Sequence, residues 1–194
     1  TSNIKINDLY KDGLQRDQFK PFINTMKELC HEIELVIDED YRKSASNILD
    51  RFFYPLNEET NFKINQIFRK LTKDKIKSSK SLKIKGRTFE IKNYFEKIAR
   101  FDFDYLCNQN IGAEDYIKIA EACEYIVIEN IPKFNEENIN KQKRFITLID
   151  ILYEKKIPLM TSSSVDLENF GSSKALTDSF KRTLSRLYEL TSIN

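Results

Sequence analysis

The stretch that decides the fold is TSNIKINDLYKDGLQR, residues 1–16. Thr1-Ser2-Asn3 reads as the closing residues of a buried β-strand whose body is not in the sequence, so the chain is expected to begin partway through a domain. Leu14-Gln15-Arg16 then places an arginine just ahead of a helix. In that helix Phe19, Phe22, Ile23, Met26 and Leu29 keep helical spacing, and Pro21 falls in the first turn, where its missing N–H is tolerated. Ile33-Glu34-Leu35-Val36-Ile37 reads as a strand that ends at Asp38-Glu39-Asp40.

A polar residue at a strand tip followed by a helix-edge arginine is an arrangement that NTP-hydrolysing ring proteins use. The strand-tip amide orients the attacking water or senses the γ-phosphate. The arginine stabilises transition-state charge on a neighbouring subunit's nucleotide. Spacing alone leaves plainer readings open: Asn3 capping a strand end, and Arg16 pairing with Asp12 or Asp17. The surrounding blocks are more specific. TSN and DLYKDGLQR (1–16), FKPFI (19–23), DYRK (40–43), FDFDYLCNQNIGAEDY (101–116), RFITLID (144–150) and RTLSRLYEL (182–190) run from the first residue almost to the last.

In these blocks and their order the chain resembles the ZapE-type cell-division ATPases and their mitochondrial AFG-like, or lactation-elevated, relatives, a branch of the AAA+ superfamily. The resemblance implies an α/β fold in three parts. Residues 1–40 would be the closing piece of a AAA+ P-loop core, 41–80 a helical lid-like region, and 81–194 a C-terminal α/β region. It also implies roles: Asn3 as polar sensor, Arg16 as arginine finger, and Arg42, in DYRK, as a residue reaching nucleotide across the hinge, against a plainer packing role beside Asp40. An arginine suits the finger because its delocalised fork matches phosphate geometry, which a lysine does not.

One departure from the family pattern is large. No Gly-x-x-x-x-Gly-Lys-Ser/Thr occurs in the 194 residues, and the family carries that loop and its magnesium-holding acidic strand upstream of TSN. The chain is therefore expected to be the C-terminal portion of such an ATPase, inactive alone and binding ATP weakly or not at all, with ATP and Mg used by the full-length protein. The implied partners are other copies of the protein in a ring, and protein clients among division or membrane-associated proteins. An alternative is a stand-alone interaction module left from a split ATPase gene. The implied setting is a bacterial cytoplasm, or else the mitochondrial matrix.

Composition bounds little beyond a globular chain. Forty per cent of the residues are hydrophobic, 14 Phe and 9 Tyr among them, and the net charge is +2, which gives no global pull toward nucleic acid or membrane. No apolar run is long enough to span a bilayer. Cys30, Cys107 and Cys123 lack CxxC spacing, sit in apolar segments and read as buried thiols. His31 is the single histidine, too few for a zinc site or a serine triad, and Ser162-Ser163-Ser164 lacks a Gly-x-Ser-x-Gly elbow.

Along the rest of the chain, Asn57 is a candidate N-cap for a helix marked by Ile64, Ile67, Phe68 and Leu71. From Arg69 to Arg87 nine cations face the single Asp74. This run reads as a solvated helix end and loop at Ser78–Ser81, with weak, non-specific nucleic-acid binding through 69–87 as the other reading. Gly86-Arg87 marks a hairpin between Leu82-x-Ile84 and Phe89-x-Ile91, and Ala99, Phe101 and Phe103 share one face of a further strand; Asp102 and Asp104 share a strand face and could form a carboxylate pair, but nothing nearby suggests a sugar or peptide substrate. Then follow a helix at Ala113–Cys123, a strand at Tyr125–Ile128 and a helix striped by Phe145, Ile146, Ile149, Leu152 and Tyr153. A strand at Ile157–Met160 and a helix carrying Phe180, Leu184 and Leu187 close the chain. On that last helix Arg182 and Arg186 read as a solvated face or partners of Glu189. TSSSVDLENF (161–170) echoes TSNIKINDL (1–9) and suggests a second sheet built like the first, with Ser163 or Ser164 at the position of Asn3 and nothing to bind a nucleotide.

Overall fold

The computed structural model describes residues 6, 9, 16–30 and 51–192, and the chain divides into two compact units, Thr1–Tyr41 and Arg42–Asn194. Asn3, Arg42, His31 and the strand expected at 33–37 lie outside the described residues. In the first unit, helix α1 spans Arg16–Leu29, with Pro21 inside it. Its buried side chain is Ile23, Phe19 and Phe22 pack with ring centroids 5.0 Å apart, and Leu29 is exposed.

The second unit is built on one six-stranded sheet. Its elements are β1 (Phe52–Phe53), α2 (Glu58–Leu71), β2 (Lys77–Ile84), β3 (Arg87–Phe95), β4 (Ile98–Asp102), α3 (Phe103–Cys107), α4 (Ala113–Ala122), β5 (Tyr125–Ile131), α5 (Ile139–Glu154), β6 (Leu159–Ser163) and α6 (Thr177–Thr191). The strand order is β1-β6-β5-β4-β3-β2. Strands β1, β6, β5 and β4 run parallel, while β3 and β2 join as an antiparallel hairpin beside β4. The sheet thus runs from residue 52 to residue 163, and residues 51–80 share it with residues 81–192.

Strand alternation sorts the core into two faces. Successive side chains of a strand point to opposite sides, so Ala99, Phe101, Ile126, Ile128 and Leu159 face one layer while Ile98, Val127 and Met160 face the other. The first layer is made by α3 to α6, through Phe103, Leu106, Tyr116, Ile119, Phe145, Leu152, Phe180 and Leu187. Among the described residues the helix of the second layer is α2, through Ile64 and Phe68. Asn57 starts α2 as its capping residue, with its side chain accepting from the Thr60 N–H at 2.8 Å, as the sequence suggested.

Parallel strands need crossovers, and right-handed crossovers that run along the sheet in opposite directions land on opposite faces. The chain leaves β1 through α2 on one face, then returns from β4 to β5 to β6 through α3, α4 and α5 on the other. This gives an α/β arrangement consistent with a P-loop NTPase-like fold.

Two expectations change at element level. Ser78–Ser81 is not a loop: it is the exposed body of β2, whose polar side chains mimic a loop because this strand lies at the sheet edge. Asp104 does not share a strand face with Asp102, because the chain turns into α3 there; Asp102 caps that helix by accepting from the Asp104 N–H at 2.9 Å. The hairpin is present as expected, but its turn is Lys85-Gly86 rather than Gly86-Arg87: Arg87 already pairs with Ile84 in the ladder, and Lys85 at φ 46° and Gly86 at φ 80° supply the two positive values that a tight two-residue turn demands.

Candidate functional site

In open α/β sheets ligands collect at the carboxyl ends of the strands, in the crevice between neighbours whose exits go to opposite faces. Here that crevice lies between β1 and β6: β1 leads into α2, and β6 leads toward α6 on the other face. Its rim is Tyr54-Pro55-Leu56-Asn57 after β1 and Ser164-Val165-Asp166 after β6.

The strand ends beside it form a polar chain. Ser162 Oγ accepts from the Asn130 N–H at 3.0 Å, and Asn130 Nδ2 donates to Asp102 at 2.7 Å. Asn130 sits at φ 63°, where the β5–β6 register shifts between Ile128 and Ile131. An Asn tolerates that left-handed conformation better than most residues. Asp104 extends the line through Lys141 at 2.8 Å. Thr161, Ser162 and Ser163 are all fully buried in β6, while Ser164 follows the strand and is exposed. Ser163 Oγ accepts from the Val165 N–H and Ser164 N–H donates to Ile131. Sequence reasoning did not single out Asn130. The available signal was a polar Glu129-Asn130 pair interrupting the apolar strand one residue short of its end, in line with Asp102 and Ser162 on the adjoining strands.

This crevice has the position of a phosphate site and the wrong chemistry for one. A phosphate cradle needs free N–H groups and positive charge at a helix N-terminus. At α2 the Asn57 side chain takes the Thr60 N–H, and Glu58 and Glu59 fill the first turn with negative charge. Lys63, the lysine one turn on, pairs with Glu59 at 2.6 Å. Residues 54–57 contain neither glycine nor lysine. Nucleotide phosphates do not fit here.

Arg16, the one sequence-selected site residue among those described, stands at the first position of α1. A cation there opposes the helix dipole by roughly 0.3–1 kcal/mol, so its placement does not serve the helix itself. Asp17 is held below the usual carboxylate range by its hydrogen bond from, and charge attraction to, Lys20, with Arg16 a smaller contributor.

The remaining sequence blocks are knit together structurally. Arg182 and Arg186 do not pair with Glu189; both reach across to Asp150 on α5, at 3.3 and 2.5 Å, and Glu189 accepts from Tyr153. Arg144 donates to the Cys107 carbonyl. Asp115 accepts from Arg87 at the hairpin tip and from the Gly112 N–H, while Arg87 also donates to the Asn110 carbonyl. RFITLID and RTLSRLYEL thus fasten one helical layer rather than line a site, while Asp102 and Asp104 of the FDFDY block belong to the polar chain beside the crevice.

The cysteines carry no nucleophilic chemistry in that layer. Burial pushes the Cys107 thiol far up and the Cys123 thiol up to about 12, so both stay protonated at neutral pH. Cys30, expected to be buried, is exposed at the end of α1; the segment is apolar, but this end of the helix is not covered. Among the described residues no group of His, Cys, Asp and Glu side chains could hold a metal ion, and no helix is long and apolar enough to cross a membrane.

Comparison with known proteins agrees with this architecture. The family model of the AFG1-like ATPases matches residues 1–194. Lactation elevated protein 1 homolog B of Danio rerio is 30% identical over 193 residues, which is 98% of this chain and 38% of that protein. Cell division protein ZapE of Escherichia coli K12 is 29% identical over 192 residues, 99% of this chain and 51% of its own length. An uncharacterized protein of Schizosaccharomyces pombe is 31% identical over 170 residues, 87% of this chain and 37% of that protein. No solved structure matches. The chain therefore spans about half, or less, of the length of the curated relatives it matches, and it belongs to the AFG1-like ATPase family.

Proposed function

We propose that this chain is the C-terminal part of a AAA+ ATPase that couples ATP hydrolysis to the remodelling of protein partners, in cell division or in protein quality control. The observation that carries the reading is the match of the family model from the first residue to the last. The chemistry of the β1–β6 crevice supports a division of labour. With Glu58 and Glu59 where a phosphate would sit, residues 51–192 serve as scaffold and partner-binding unit. ATP and Mg are then held by a P-loop elsewhere in the full-length protein.

In this reading the catalytic contribution of the chain comes from three polar residues within its first 42 positions. Asn3 orients the attacking water, Arg16 stabilises charge developing on the γ-phosphate of a neighbouring subunit's nucleotide, and Arg42 contacts nucleotide across the hinge. Arg16 can act this way without lysine-type flexibility, because the guanidinium stays charged and offers a fork of donors. A finger that works between subunits makes a ring the active form. The experiment is a mixing assay with the full-length protein. Arg16→Ala and Asn3→Ala variants, each impaired alone, should partly restore turnover together, because a mixed ring contains interfaces with an intact finger facing an intact sensor. A mixture no faster than the two variants apart overturns action in trans.

A further inference from the structure

Strand β2 (Lys77–Ile84) is the outermost strand of the sheet, and among the described residues no strand pairs with its free edge. We propose that this edge is a docking strand for an acidic, extended peptide segment of a partner protein. The segment joins the sheet through main-chain hydrogen bonds and sets its carboxylates against Lys77, Lys80 and Lys83. This proposal stands independently of the ATPase reading.

Three observations carry it. Lys77 to Ser81 are exposed in unbroken succession, with short serine side chains at 78, 79 and 81 that leave the main chain accessible. The three lysines form no ion pair among the described residues, whereas their neighbours Lys75, Lys85 and Arg87 pair with Glu96, Glu114 and Asp115. Alternation places Lys80 on the face of Leu82 and Ile84, and Lys83 on the face of Ser81. An incoming strand therefore meets cationic charge on both sides. Just ahead of β2, Ile76 is 74% exposed and offers an apolar contact at the end of the docked segment.

The same lysines explain why an acidic partner is selected. Lysines on an edge strand discourage pairing with ordinary apolar strands, which would strip water from the ammonium groups and return nothing. A strand carrying carboxylates at those places supplies the missing partners, so a device that rejects one class of strand admits another. Regular pairing to β3 runs from Lys80 to Ile84, and the register breaks between Ser78 and Lys80. Docking is therefore short and reversible. A nucleic-acid strand fits less well. The aromatics nearest the edge, Phe89 and Tyr94, are buried and half-buried, so no open rings await stacked bases.

The test is fluorescence anisotropy on the 194-residue chain with a labelled peptide of four Glu-Val repeats. Controls are the same peptide N-methylated at alternate nitrogens, a single-stranded oligonucleotide and a short duplex. The repeat peptide should bind with a micromolar Kd and protect from hydrogen exchange those main-chain amides of Lys80–Ile84 that point away from β3. N-methylation on the pairing edge should weaken it about tenfold or more. Replacing Lys77, Lys80 and Lys83 together by Glu should do the same, and replacement by Gln should give a smaller loss, with an unchanged circular dichroism spectrum for both variants. Equal binding of the methylated peptide, tighter binding of either nucleic acid than of the peptide, or no peptide binding at about 1 mM would overturn the proposal.

Discussion

Arg100 fastens α2 to the sheet, and among the described residues removing it should cost more than removing any other exposed or half-exposed charge. It lies on β4, opposite Val127 in the parallel ladder. Its Nε and Nη2 donate to the two oxygens of Glu129 at 2.5 and 2.7 Å, its Nη1 donates to Asn65 of α2 at 2.9 Å, and its guanidinium lies 4.9 Å from the Phe68 ring centroid. The two side chains are 22% and 17% exposed, so the pair is screened far less than a surface pair worth about 0.2–1 kcal/mol. It falls short of a fully buried pair, whose breaking costs about 3–5 kcal/mol. A value near 2 kcal/mol for stranding Glu129 is reasonable between those limits. The Asn65 bond adds about 1 kcal/mol and the ring contact about 0.5 kcal/mol. Arg100→Ala should therefore destabilise the unit by about 3.5 kcal/mol, a drop in Tm of roughly 7–14 °C for a unit of this size. Urea titrations of Arg100→Ala, Glu129→Ala and the double variant, followed by circular dichroism, should show a coupling energy of about 1.5–2 kcal/mol. A coupling below about 0.5 kcal/mol, or a single-variant loss below about 1 kcal/mol, would refute the reasoning and leave α2 only loosely tied to the sheet.

Gly171 sits at φ 69° with an added Cβ only 2.4 Å from the Phe134 carbonyl oxygen, whereas Gly86 at φ 80° has open space around it. By melting curves, Gly171→Ala should cost about 3 kcal/mol and Gly86→Ala about 1 kcal/mol; equal losses would mean that the Phe134 backbone yields freely. With a thiol reagent the folded chain should react at Cys30 alone, and at Cys107 and Cys123 only on unfolding. Because folding holds the Cys123 thiol up at about 12 from 9.0, its contribution to stability is complete below pH 9 and is lost as pH rises toward 12. At pH 10 that loss is on the order of 1 kcal/mol, and a Cys123→Ala variant should lack this part of the pH dependence; parallel pH profiles would argue against it.

Much of the fold could be read locally. The Asn57 cap, the apolar pairs flanking Gly86-Arg87, the apolar run at 125–128 and the stripe from Phe145 to Leu152 each carry their own signal, and α2, the hairpin (its turn one residue earlier), β5 and α5 form there. The first half of β2 reads as a loop because an edge strand has no buried face there, so Lys-Ser-Ser-Lys-Ser looks solvated, whereas Leu82 and Ile84 mark its second half. Arg182 and Arg186 could be placed on one helix face, but their partner Asp150 lies on another helix, which no local spacing reveals. The crevice between β1 and β6 was illegible for the same reason. It exists only once the strand order is known, and its acidic entrance becomes meaningful only when Glu58 and Glu59 are seen at the start of α2. The exposure of Cys30 is likewise a tertiary fact, since its segment is as apolar as those of the two buried thiols.

The central claim is that this chain contributes an arginine finger to an ATPase ring, and the most direct measurement is steady-state ATP turnover of the full-length protein with Arg16→Ala, alongside its nucleotide affinity. The finger reading predicts nucleotide binding within a few-fold of wild type and turnover lower by a factor on the order of 10³, because the guanidinium is needed only as charge develops in the transition state. Unchanged turnover in a folded variant, or a loss confined to nucleotide affinity, would contradict it and reassign Arg16 to a structural role at the start of α1.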